Sequence, residues 1–231
     1  MNIKGLAKTT LLDYPGLVAA TIFLGGCQFR CPFCHNRSLV IKPEQLPDLD
    51  PDDIYAFLEK RKGVLDGVCI TGGEPTLQPD LPNLLYDIKC MGYKVKLDTN
   101  GYDPVCLDHI IKDGLVDYVA MDIKNSLDKY ARTCGYPDLD LTRIRLTADI
   151  LREEYVDYEF RTTVVHELHA PEDMEAIGHW LSGARAYYLQ PYVESDDVIL
   201  PVFSSCGKAE LRQMQKILSA HIKKVGIRGL D

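Results

Sequence analysis

The sequence predicts an α/β protein, a partial (β/α)6 barrel around a parallel sheet, and three observations carry that expectation. Short apolar, β-branched runs alternate with helically spaced ones almost from end to end, the order that lays parallel strands side by side under helices. Six such units can be traced, too few for a closed eightfold barrel. The residues able to do chemistry fall just after the strand runs, at the end of such a sheet where ligands bind. No linker, low-complexity segment or repeat interrupts the pattern, so residues 1–231 are read as a single domain.

Each element has its own signal. Residues 17–24 (LVAATIFL) are an unbroken apolar run of strand length, and a three-cysteine loop follows. Pro51-Asp52-Asp53 starts a helix through residue 62, with acids in the first turn where the helix dipole favours them. The second strand, 67–71, ends in Gly72-Gly73-Glu74-Pro75. A helix over 81–91 leads to the third strand, 93–98, closed by Thr99-Asn100-Gly101. A helix over 104–112 precedes the fourth strand, 116–123. Ile144, Ala148 and Leu151 mark one face of a helix over 141–154, and the fifth strand is 158–165. Pro171-Glu172-Asp173 opens a helix to 181, the sixth strand is 186–189, and a charged amphipathic helix spans 207–223. Residues 124–140 are the least regular and are expected to rise above the strand ends.

Composition narrows the function class. The chain has 231 residues, 46 % hydrophobic and 26 % charged, which is ordinary for a globular protein. At this length about 70 % of the unfolded surface is buried, so folding needs no disulfides. Lys and Arg number 26 against 34 Asp and Glu, a net charge of −8. That balance speaks against nucleic acid or an anionic membrane as the partner. Leu24-Gly25-Gly26-Cys27 has the look of a lipoprotein cleavage site, but Asp13 and Pro15 break the apolar stretch before it. No run of about 18 apolar residues exists to span a membrane, and a cytoplasmic protein is expected.

Eight cysteines are many for such a protein, and their placement matters more than their number. Three fall in Cys27-Gln28-Phe29-Arg30-Cys31-Pro32-Phe33-Cys34. Cys69, Cys90, Cys106, Cys134 and Cys206 are scattered, and Cys69 in Val68-Cys69-Ile70 reads as a small core hydrophobe. Three thiolates on one loop suit zinc or an iron–sulfur cluster. A closed zinc site needs a fourth ligand, and His35 adjoins Cys34 too closely to reach the same ion easily. On a four-iron cluster, three cysteines leave one iron open, and an open position means chemistry.

The CxxxCxxC spacing resembles the signature of the radical S-adenosylmethionine (SAM) superfamily. The resemblance implies one 4Fe–4S cluster on Cys27, Cys31 and Cys34, whose open iron takes the amino and carboxylate groups of SAM. It implies reductive cleavage to a 5′-deoxyadenosyl radical, with Phe33 beside the adenine. Gly72-Gly73-Glu74-Pro75, which alone reads as a tight turn, is similar to the family's GGEP motif, where the carboxylate serves the SAM amino group. Lys96-Leu97-Asp98-Thr99-Asn100-Gly101 and Asp122-Ile123-Lys124 resemble the glycyl-radical-enzyme activase branch. There the lysine pairs the SAM carboxylate, which falls to Lys124, and the acids surround a monovalent cation, which falls to Asp98, Thr99 and Asp122. Thr9-Thr10-Leu11-Leu12-Asp13-Tyr14-Pro15-Gly16, Cys34-His35-Asn36, Phe160-Arg161-Thr162-Thr163 and Leu189-Gln190-Pro191-Tyr192 also look like this branch. His35 joins the cofactor-facing set on that ground.

The resemblance covers nearly the whole chain and is closest to short anaerobic ribonucleoside-triphosphate reductase activating proteins. It implies a glycyl radical enzyme as partner, anaerobic ribonucleotide reductase by that likeness, and flavodoxin or ferredoxin as electron donor. Two departures stand out. Residues 36–51 contain no cysteine, so the second cluster of longer activases is not expected, and Val193 replaces a histidine of the formate-lyase activase pattern. Two other readings remain open at this level: a radical SAM enzyme acting directly on a small molecule or peptide, and a zinc-binding interaction module. Arg161 is placed either in the barrel mouth or at a core edge, and His166-x-x-His169 reads as a loop feature.

Overall fold

The computed structural model describes residues 1–229. Its strands are β1 (Ile3–Thr10), β2 (Ala19–Leu24), β3 (Gly67–Gly72), β4 (Lys94–Thr99), β5 (Tyr118–Asp122), β6 (Asp157–Val164), β7 (Tyr187–Pro191) and β8 (Val225–Ile227). They form one sheet in chain order, with β1 antiparallel to β2 and every later pair parallel. Strands β2 to β7 are the six expected ones, and the sheet gains one strand at each edge. The strand β1 was hidden by Gly5 and two lysines and by its irregular register against β2, and β8 is only three residues long.

The α-helices are α1 (Arg37–Ile41), α2 (Pro51–Lys60), α3 (Leu81–Cys90), α4 (Pro104–Lys112), α5 (Tyr130–Cys134), α6 (Leu141–Arg152), α7 (Pro171–Trp180) and α8 (Lys208–Leu218). Their starts follow from local chemistry. Asp50, Asp103 and Asp140 each accept a backbone N–H of the first turn through the side chain, and Pro51 and Pro104 sit at first helical positions. One face of each long helix is buried, for example Leu81, Leu84, Leu85 and Ile88 of α3.

Strand residues alternate between that helical layer and the barrel interior. Val95, Leu97, Val119, Met121 and Phe160 join the apolar core. Their neighbours Lys96, Asp98, Asp122, Glu159 and Arg161 lie on the other side, where Lys96, Asp98, Arg161 and Asp122 meet one another. The inner face is therefore charged, in two layers. Near the amino ends of the strands, Glu159 accepts both terminal nitrogens of Arg228 at 2.6 Å each and the Tyr118 hydroxyl at 2.7 Å. Near the carboxyl ends lies a second layer, which faces a cavity.

Candidate functional site

The cavity, of about 220 Å³, opens at the carboxyl ends of β3 to β7. Cys27, Cys31, Cys34, Phe33 and His35 line one side of it, all from the loop after β2. Gly72, Gly73, Asp98, Thr99, Asp122 and Lys124, from the ends of β3, β4 and β5, line the other. Of the ten residues expected from the sequence to contact the cofactors, all but Glu74 reach this wall.

The cysteine loop is held in place by its neighbours. A side-chain carbon added at Gly73 would sit 2.0 Å from the Gly26 carbonyl oxygen, and one at Gly72 (φ +115°) would sit 2.5 Å from that of Leu24. Only glycines let the end of β3 press this closely on the chain entering the loop. The contact is sealed by Glu74 N–H donating to Gly26 O at 2.7 Å and by Asn36 Nδ2 donating to Gly72 O at 2.8 Å. On the far side Arg30 N–H donates to Cys134 O at 2.9 Å, so the irregular segment after β5 does rise over the strand ends, carrying α5. Phe29 packs against Tyr102 and Tyr136 there, with ring centres 5.5 and 5.9 Å away.

Burial pushes all three loop thiols above the ordinary thiol range, Cys27 up to about 12 with Glu74 adding to the effect. Lys124 pulls in the opposite direction at each of them. Without a metal these side chains stay neutral, and ligation is what would deprotonate them. Their spacing tests which metal fits. Among the described residues, triplets of ligand atoms within 4.8 Å of one another occur at His166–Cys206–Glu210 and Glu175–His179–His221, and the loop cysteines form no such triplet. A single zinc ion with Zn–S of about 2.3 Å would draw its sulfurs to within about 4 Å of one another. The loop sulfurs thus stand further apart than one zinc ion would hold them, a spacing that suits a cluster whose irons spread the ligands. His35 is spent on the rim, stacked on Tyr192 with ring centres 6.3 Å apart.

Glu74, expected beside the SAM amino group, lies behind the cavity wall. Its carboxylate is 1 % exposed and does not line the cavity. One oxygen accepts from Thr76 N–H (3.1 Å), Thr76 Oγ1 (2.6 Å) and Thr99 Oγ1 (2.7 Å), and the other from Asn100 N–H (2.7 Å). Burial raises its carboxyl above the ordinary range while these donors oppose the shift. The side chain braces β3 against β4, and the cavity wall at this point is the glycine backbone.

The residues expected around a monovalent cation are paired within the protein. Thr99 Oγ1 is committed to Glu74 and to Gly101 N–H at 3.0 Å. Asp98 pairs with Lys96 through one oxygen and with Arg161 Nη2 through the other at 3.1 Å. Asp122 pairs with Arg161 Nε through one oxygen and with Lys124 Nζ through the other at 2.9 Å. Burial alone would raise both carboxyls, yet Arg161 together with Lys96 or Lys124 holds each below the ordinary range, Asp122 most strongly. Protein cations already occupy the places given to an ion.

Several side chains at the site had no settled role from the sequence. Arg161, whose place was open, bridges both acids from β6, and Thr163 and Gln190 line the cavity beyond it. Their signal was the inward alternation of β6 and β7. Asn100 Nδ2 lies 3.7 Å from Cys27 Sγ. His169 is buried, accepts Val165 N–H at Nδ1 (3.0 Å) and donates from Nε2 to Lys124 O (2.8 Å), steadying the backbone of the lysine. Burial lowers its pKa, which keeps the ring neutral. His166 instead pairs with Glu210 on the surface, so the two histidines share no site. Cys69 is buried as expected, but its sulfur lies 3.8 Å from Lys96 Nζ in the charged interior rather than in the apolar core.

A profile of the Radical SAM superfamily matches residues 21–181. A candidate glycyl-radical enzyme activating enzyme of Methanocaldococcus jannaschii is 31 % identical over 99 % of this chain and 96 % of its own length. The pyruvate formate-lyase-activating enzyme of Clostridium pasteurianum is 31 % identical over 54 % of this chain and 52 % of its length. Streptococcus suis SuiB, solved bound to S-adenosylmethionine, superposes with a TM-score of 0.67 at 17 % identity, over 88 % of this chain and 48 % of that one. The chain thus spans about half the length of that structure, and the likeness is one of fold. Among the described residues no helix is long and apolar enough to cross a membrane.

Proposed function

The chain belongs to the radical SAM superfamily, and on that premise we propose that residues 1–231 act as one domain that activates a glycyl radical enzyme. The observation that carries the reading is a single cavity lined by three cysteines of the β2 loop and by Lys124 opposite them. When bound, a 4Fe–4S cluster and SAM supply one-electron cleavage to a 5′-deoxyadenosyl radical, able to take a hydrogen atom from a glycine Cα of the partner. The protein's part is to hold and orient. Cys27, Cys31 and Cys34 are the cluster ligands, and Phe33, buried against His169, offers an apolar face for the adenine. His35 closes the rim, and Gly72 and Gly73 give the backbone approach for the SAM amino group.

Lys124 is the carboxylate partner. Burial opposes its charge, but the paired Asp122 carboxylate holds its pKa above the ordinary lysine range, so it stays an ammonium. Arg161 keeps Asp122 ion-paired when Lys124 turns to a ligand. The protein partner is a glycyl radical enzyme, supported by the near full-length likeness to the archaeal activase. Anaerobic ribonucleoside-triphosphate reductase is the partner favoured by the sequence motifs, with flavodoxin or ferredoxin as reductant and the cytoplasm as location. The test is to mix reconstituted, reduced protein, SAM and that reductase without oxygen and record the electron paramagnetic resonance spectrum. A glycyl radical doublet that vanishes with a Gly→Ala partner is expected. SAM cleavage without any doublet would turn the reading toward another substrate.

A further inference from the structure

We infer that Lys96, buried behind the cavity wall at Asp98, supplies the charge that a monovalent cation would bring, so that SAM binding by this chain needs no alkali-metal ion. The inference rests on the proposed reading of the cavity as a SAM site. Lys96 lies on the inner face of β4, and its side chain is 2 % exposed. A lysine is rarely buried so completely unless its ammonium has a partner. Two groups meet it: Asp98, two residues along the same strand, and Cys69 Sγ at 3.8 Å. Burial raises the Cys69 thiol, so it stays protonated and neutralises nothing. The charge of Lys96 is therefore matched by Asp98.

The ion-paired set then closes oxygen by oxygen. Asp98 presents one oxygen to Lys96 and the other to Arg161, and Asp122 presents one to Arg161 and the other to Lys124. Every carboxylate oxygen is paired with a protein cation. A hard metal ion collects several oxygens at once, and here it would compete with a lysine or an arginine at each of them. When Lys124 swings to a bound carboxylate it frees a single oxygen, on Asp122, while Arg161 remains. Lys96 is thus a positioning residue: it holds Asp98, Asp98 holds Arg161, and Arg161 holds Asp122 beside the lysine that meets the ligand.

The test titrates SAM into the reconstituted protein by anaerobic calorimetry in sodium, potassium and choline chloride at one ionic strength. The three affinities are expected to agree within about twofold, and a larger fall in choline would overturn the inference. In Lys96→Ala, checked for folding by circular dichroism, affinity in choline is expected to drop about tenfold or more and to recover in sodium or potassium. A loss that ignores the salt would mean a purely structural lysine and would also overturn it. The parent titration decides the matter even where Lys96→Ala fails to fold. No SAM binding in any salt would bring down the proposed function itself, a result distinct from salt-selective binding.

Discussion

The two charged layers inside the barrel use the same kinds of side chain and end in different balances. At the floor one acid meets one base: Glu159 is fully buried, holds Arg228 through both oxygens and takes the Tyr118 hydroxyl, while the guanidinium lies 3.9 Å over the Tyr188 ring. Nothing is left over. At the mouth two acids, Asp98 and Asp122, face three cations, Lys96, Arg161 and Lys124. The surplus positive charge sits on Lys124, whose side chain is 17 % exposed and faces the cavity. A balanced, closed pair serves the fold. An unbalanced set beside a cavity has room for an anion, because an unmatched charge in such a place costs several kcal/mol.

The comparison can be broken in four places. The largest effect is expected outside both layers, at the three cysteines proposed as cluster ligands. Cys27→Ala, Cys31→Ala and Cys34→Ala should each abolish cluster loading, whereas Cys69→Ala, Cys90→Ala, Cys106→Ala, Cys134→Ala and Cys206→Ala should keep it. Iron content and visible absorbance after reconstitution decide this, and full loading of Cys31→Ala would remove the basis of the site.

At the floor, Arg228→Met leaves the buried Glu159 without its counter-charge. Stability should fall by about 3 kcal/mol or more, read from denaturant unfolding, while SAM affinity of the folded protein stays near the parent value. At the mouth the pattern should invert. Lys124→Met should weaken SAM binding by about 1.5–3 kcal/mol, roughly ten- to a hundredfold, with a smaller effect on stability, and Lys112→Met on the surface of α4 should change neither. Binding within about twofold of the parent would remove Lys124 from the carboxylate role.

The smallest effect is the acid limb of stability. Asp98 and Asp122 have depressed carboxyls in the folded state. Their contribution is therefore complete above the unfolded aspartate range near pH ~4 and is lost as pH falls further. Glu74, raised by burial, works with the opposite sign, favouring the folded state at lower pH. Thermal unfolding should decline below pH ~4, and Asp122→Asn should flatten that decline. An unchanged slope would mean that the mouth pairs do not report on folding.

What the sequence made legible was local. The cysteine loop could be read because its three ligands lie within eight residues, and the six inner strands because apolar runs of strand length have few other uses. The strand β8 is too short to carry a pattern. The roles of Lys96 and Arg161 depend on strands that become neighbours only in the fold: Asp98 of β4 meets Arg161 of β6 across β5. Glu74 lies in the expected turn with its carboxylate facing away from the cavity, because the spelling of a motif does not say which way a carboxylate turns. Four donors from Thr76, Thr99 and Asn100 decided that.

The most direct measurement is of the products formed when the reconstituted protein is reduced with dithionite and given SAM. Methionine and 5′-deoxyadenosine in equal amounts, formed slowly in the absence of a partner, are the predicted result. A protein shown to carry its full cluster and to yield no 5′-deoxyadenosine would contradict it.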